Sequence, residues 1–151
     1  GEASETKKLE IVSDGVLKNW ILDLSSSRQL GLSTTGHASR GTSSIPFPSS
    51  TNLYLEPGDS SLDDMLGSLN KGIYITELIG MGVNGVTGDY SRGAAGFLIE
   101  NGKITYPISE ITIAGNLNSI FANLIPANDL KFKNRTNSPS VLIKQMTVAG
   151  N

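Results

Sequence analysis

A chain of 151 residues with 12 Lys and Arg against 14 Asp and Glu has a formal net charge of −2, which leaves no basic footprint for nucleic acid. Its apolar residues, 38% of the total, fall in short runs, none near the roughly 18 consecutive apolar positions of a membrane-spanning helix. It has no cysteine, so it offers neither a disulfide framework nor a thiolate for a metal or a nucleophile.

The length predicts a single domain over residues 1–151, burying about 70% of the surface its unfolded chain exposes. The polar opening Gly1-Glu2-Ala3-Ser4 shows no signal-peptide pattern, which favours a cytoplasmic location. Asn134-Arg135-Thr136 matches a glycosylation sequon and, without a secretion signal, reads as chance.

In chain order, the first signal is Leu9 to Leu22, where Asp14-Gly15 separates two apolar runs, a short-range hairpin signal. Ser25 to Leu30 follows as a further strand-like or short helical piece. Ser33 to Ser50, rich in Ser, Thr, Gly and Pro, reads as an extended loop. Ser61-Leu62-Asp63-Asp64 resembles a capping box with Asp in place of Glu, opening a helix over Leu62–Leu69. Ile73 to Ile79 reads as a strand, Gly80 to Gly93 as a glycine-rich loop, and Ala94 to Glu100 as the next strand. Asn101-Gly102 then repeats the hairpin device, leading into Tyr106 and the run Ile108 to Ile113. The two hairpins suggest a weak internal duplication. Asn116 to Leu124 has apolar residues at 117, 120, 121 and 124, a helical spacing. A last strand is predicted over Val141 to Val148, its start set by Ser138-Pro139. The fold class is therefore mainly β: an antiparallel, barrel-like or sandwich-like twisted sheet built from hairpins, with two or three short helices.

The glycine-rich loop contains Gly80-Met81-Gly82-Val83-Asn84-Gly85, a literal G-x-G-x-x-G after a strand. In a dinucleotide-binding fold its third glycine opens a helix whose amides hold the pyrophosphate. Here Gly88 and Gly93 follow at once, each costing about 1 kcal/mol in a helix relative to alanine, so the nucleotide reading is set aside. Loops of this length in a compact domain are often functional, and repeated φ > 0 is what such glycines supply. Gly36, Gly82, Gly85, Gly88, Gly93 and Gly96 are taken as shaping the loops.

Candidate chemistry is sparse. His37 is the single histidine, and a zinc site needs three or four ligands. No G-x-S-x-G nucleophile motif is present, so His37 reads as a loop or substrate contact rather than a catalytic base. Asp63 and Asp64 fall in the first turn of the predicted helix and read as capping groups. Asp89, Tyr90 and Arg92, beside the glycines, are the best polar candidates. For Asp89 and Arg92 two readings stay open: a substrate or interface contact, or an Asp–Arg bridge closing the loop.

Three segments then resemble one family: Gly31-Leu-Ser-Thr-Thr-Gly36-His37-Ala38, Asn52-Leu-Tyr-Leu-Glu-Pro-Gly58, and Gly82 through Gly102 with its Gly88-Asp89-Tyr90-Ser91-Arg92-Gly93 core. Together with Tyr106 through Asn116, they look like the C-terminal domain of TldD/PmbA proteins, in the PmbA (TldE) branch. The resemblance runs from Gly1 to Asn151. It implies a cytoplasmic assembly that processes or degrades unfolded peptides, linked to microcin maturation, antitoxin degradation and modulation of DNA gyrase. It also implies that zinc belongs to a TldD-type partner carrying an H-E-x-x-x-H helix and a cysteine ligand. This chain has neither, so no cofactor and no catalytic residue is expected in it, and it is expected to be inactive alone. The expected partners are a TldD-like subunit or a second copy, and unfolded peptide, with no direct nucleic-acid or membrane contact. The chain is expected to be the last third of a longer protein. Its alternative role is a dimerisation scaffold without peptide contact.

Overall fold

A computed structural model of the chain describes residues 2–150. In chain order the first elements are β1 (Val12–Ser13), β2 (Val16–Leu17), α1 (Leu24–Leu30), β3 (Ala38–Ser39), β4 (Phe47–Pro48), β5 (Leu53–Tyr54) and α2 (Leu62–Gly67). Then come β6 (Lys71–Ile79), β7 (Asp89–Glu100), β8 (Lys103–Asn116), α3 (Leu117–Ala122), β9 (Leu124–Pro126), β10 (Thr136–Asn137), β11 (Val141–Ile143) and β12 (Thr147–Ala149). Strand predominates over helix, as the turn chemistry predicts, and no sheet closes into a barrel. The chain forms two compact units. One takes residues up to Tyr54 with Phe132–Asn137; the other takes Leu55–Lys131 with the residues from Ser138 onward.

In the first unit, Asp14 and Gly15 adopt φ of 50° and 74° between β1 and β2, the two positive values a type I′ turn requires. Asp23 caps α1 by accepting the Ser26 N–H at 2.7 Å, and Gly31 closes the helix in the left-handed conformation. The Ser33–Ser50 stretch is irregular apart from the short β3–β4 pair. β5 pairs with β10, the one parallel pairing in the described chain. Next to it, buried Asn137 accepts the Lys133 and Asn134 N–H groups and donates to the Asn134 carbonyl. Its amide is thereby satisfied at both ends.

The second unit is built on a four-stranded sheet of order β12-β8-β7-β6. Asn101 and Gly102 turn β7 into β8 with φ of 50° and 76°. Ala94, Ile111 and Ile113 form the buried centre, with Ile73, Ile75, Tyr90, Ile108 and Met146 packed against it. α2 opens on the predicted capping box, in which Ser61 and Asp64 satisfy one another's backbone N–H groups. α3 is capped by Asn116.

Three sequence readings need correction. β7 begins at Asp89 rather than Ala94, because the backbone from Asp89 to Gly93 pairs fully with β8. Ile108–Ile113 is part of the 14-residue β8, while Ser25–Leu30 belongs to helix α1; the two hairpins continue differently, and the suggested duplication loses its basis. The predicted strand over Val141–Val148 divides at Lys144 into β11, which pairs with β9, and β12, which pairs with β8.

The sheet's register shifts near Ala95 in both pairings of β7, and the β7–β8 pairing shifts again between Phe97 and Ile99. Register shifts leave Thr76 of β6 as an extra residue, and place Ser109 and Glu110 of β8 opposite Ala95 of β7. Glu110 has φ of 57°, the left-handed region, inside a strand. Gly96 follows Ala95, and a Cβ there would overlap the Tyr74 carbonyl oxygen.

Candidate functional site

The glycine-rich segment is a hydrogen-bonded hairpin tip. Beyond Ile79 the β6–β7 pairing continues irregularly: Ser91 N–H donates to the Gly82 carbonyl at 2.7 Å and Asn84 N–H to the Asp89 carbonyl at 2.8 Å. Gly82 is required by this approach, since a Cβ would overlap the Ser91 carbonyl oxygen. The end of the tip is an Asx turn, in which the Asn84 carboxamide oxygen accepts the N–H groups of Val86 and Thr87. Asn116 anchors it from the side by donating to the Thr87 carbonyl at 3.0 Å. No helix follows the G-x-G-x-x-G, so no row of free amides is available for a pyrophosphate.

This tip holds its backbone fixed and leaves its apolar side chains in water. Met81 is fully exposed and Val86 is 96% exposed. Ile79 and Val83 are exposed as well. Sequence reading passed over Met81, Val86, Asn84 and Asn116; the Asn-Gly-Val-Thr-Gly run was the available signal for the Asx turn.

Asp89, Tyr90 and Arg92 all lie at the start of strand β7 but not on one face. Successive strand residues alternate, so Asp89 points opposite to Tyr90 and Arg92. Asp89 accepts the Thr87 hydroxyl at 2.7 Å. Tyr90 packs on the buried cluster. Arg92 pairs in register with Ile113 and sends Nη2 to the Leu78 carbonyl at 3.1 Å, while its Nε is buried without a partner. No Asp89–Arg92 bridge forms. The remaining glycines differ in need: Gly36 and Gly88 have positive φ, whereas Gly85 and Gly93 have room for a Cβ.

His37 belongs to the other unit. It is 8% exposed, with Nδ1 buried and unpartnered, and it lines a cleft of about 390 Å³ with Glu5, Lys7, Leu9, Thr34 and Thr35. The Thr34 and Thr35 hydroxyls are committed to the Leu22 carbonyl. Among the described residues no three His, Cys, Asp or Glu side chains converge, so the donors of this chain do not fit a zinc ion.

β6 is a terminal strand of the sheet, paired on one side only. β8 is also unpaired on its far side before Thr112, but there it carries Pro107, which has no N–H, and the Glu110 bulge. Such features blunt an edge. β6 has no proline along its length, and its one irregularity is the extra residue Thr76.

These features define a mainly β domain whose sheet, on its β6 side, has an edge that ends in a fixed apolar tip. The chain belongs to the family described as the PmbA/TldA metallopeptidase C-terminal domain, which matches residues 1–150. It is 42% identical over 150 residues to the metalloprotease PmbA of Escherichia coli O157:H7, covering 99% of this chain and 31% of that protein. A Thermotoga maritima crystal structure described as a candidate modulator of a DNA gyrase superposes with a TM-score of 0.82 at 33% identity, covering 95% of this chain and 33% of that one. The fold is also that of TldE from Thermococcus kodakarensis, with a TM-score of 0.86 at 24% identity over 96% of this chain and 34% of that one. The chain spans about a third of the length of the curated relatives it matches. No helix among the described residues is long and apolar enough to cross a membrane.

Proposed function

We propose that this chain is the non-catalytic C-terminal domain of a PmbA/TldE-like subunit in a zinc metallopeptidase assembly, and that it receives unfolded peptide along the open edge of β6. The observation that carries this reading is the outer backbone of β6, unpaired among the described residues, free of proline and divided at Thr76 into two short segments. An extended peptide can add to such an edge through main-chain hydrogen bonds with little demand on its sequence. The metal chemistry is assigned to a TldD-type partner, a reading supported by the lack of three converging metal-ligating side chains among the described residues.

The test mixes the full-length protein with its TldD-type partner and follows zinc-dependent cleavage of an unfolded peptide. Methylating alternate peptide amides should lower cleavage at least about tenfold, since each methyl removes a ladder donor. Glu77→Cys should also trap, by thiol–disulfide exchange, a peptide whose cysteine is activated as a thiopyridyl disulfide, beyond any trapping seen with the unsubstituted protein. Full cleavage of the methylated peptide, with no trapping, would sink the proposal.

Met81 and Val86 favour a second reading, a scaffold that serves assembly alone. Their exposure on a fixed backbone suits a surface covered by a subunit, and burying each would stabilise the contact by about 1.5–3 kcal/mol. On that reading Met81→Asp with Val86→Asp shifts the sedimentation profile toward the monomer and leaves the peptide affinity of the isolated subunit unchanged.

A further inference from the structure

Arg92 is a charged group whose hydrogen-bonding capacity is largely unused. It stands on the face of β7 that carries Tyr90 and Ala94, across the ladder from Ile113, where its surroundings are apolar. A guanidinium stays charged at any ordinary pH and has five N–H donors. Nη2 donates once, to Leu78, and Nε is sealed in without a partner. No carboxylate of the described residues bonds it. Asp89, the nearest in sequence, is on the opposite face and already accepts the Thr87 hydroxyl. A half-buried cation without a counter-anion is costly, and a planar fork of donors matches a carboxylate.

Its position gives that fork a use. Leu78 lies near the C-terminal end of β6, and a strand added to the open side of β6 would run about 4.8 Å beyond it. Nη2 already reaches the β6 backbone. We propose that Arg92 anchors a carboxylate of the unfolded peptide that pairs with β6, which makes it the residue that gives the edge a chemical preference. This rests on the β6 reading above. The shared chemistry is a carboxylate, from the peptide C-terminus or from an Asp or Glu side chain.

Binding of a labelled unstructured peptide to the full-length protein tests this in two arms. One arm amidates the peptide C-terminus, and the other replaces its Asp and Glu by Asn and Gln. One of these changes should weaken binding about ten- to a hundredfold, the range for a charge-assisted pair. The same change should have no effect on Arg92→Gln, and Arg92→Lys should fall between. Wild-type affinity indifferent to both changes overturns the role of Arg92 and leaves the β6 edge standing. Failure of every peptide to bind sinks both. The wild-type arms need no variant to fold.

Discussion

Gly96 and Gly85 are the same residue under different constraints. At Gly96 the Tyr74 carbonyl occupies the space a Cβ would need, while at Gly85 nothing lies within 4 Å. Gly96→Ala should therefore destabilise by about 1–3 kcal/mol. Gly85→Ala should range from neutral to a gain of about 1 kcal/mol, because it only restricts the unfolded chain. Denaturant midpoints of the two variants check this, and equal midpoints would contradict it. Glu110 makes the opposite case: its left-handed backbone at φ 57° would suit glycine. Glu110→Gly should gain up to about 1 kcal/mol, and a loss of similar size would mean that the carboxylate has a partner that outweighs its strain. Asp14-Gly15 and Asn101-Gly102 were legible in the sequence because few dipeptides supply two positive φ values. Glu110 was not, since its conformation comes from the register of a neighbouring strand rather than from its own identity. Arg92 was legible as a candidate, but its face depended on β7 starting at Asp89.

At the level of elements, three aspartates tie segments together through hydrogen bonds that favour the ionised form. The Ser26 hydroxyl and N–H hold Asp23 at the start of α1 below its ordinary 3.8. The Ser61 hydroxyl and N–H do the same for Asp64 at the start of α2. The Ser140 hydroxyl and N–H, with a smaller effect of Lys131, lower Asp129 ahead of β11. A carboxyl depressed in the folded state adds stability that is present above its unfolded value and is lost as pH falls through the folded one. The denaturant midpoint should thus hold down to about pH 4 and decline below it. Ser61→Ala should make that decline shallower, because it removes the largest cause of the Asp64 shift. A midpoint flat to about pH 2 would refute the linkage. The start of α2 was readable because a capping box needs particular side chains at fixed spacing, whereas the Asp23 cap of α1 went unread. The division of Val141–Val148 was not readable, because β11 and β12 differ only in which strand each meets.

On the scale of the whole chain, the donor inventory makes the sharpest statement. The sequence has a single histidine and no cysteine, and among the described residues no three metal-ligating side chains converge. Metal analysis of the purified chain should therefore find well under one equivalent of zinc after dialysis, and a stoichiometric amount would restore an autonomous zinc enzyme. Composition carried this expectation, and the motifs carried the family. The open edge of β6 could not be read, because edge status depends on which strands fail to pair with it. The register shift at Thr76 sets the reach of that edge. Thr76 breaks β6 into a ladder from Lys71 to Ile75 and a shorter one from Glu77 to Ile79. A straight incoming chain can zip onto one segment and loses step with the other. On the proposed reading the grip is a short footprint that a sliding polypeptide would meet again at each two-residue advance, which suits feeding a chain through in increments rather than clamping a long stretch at once.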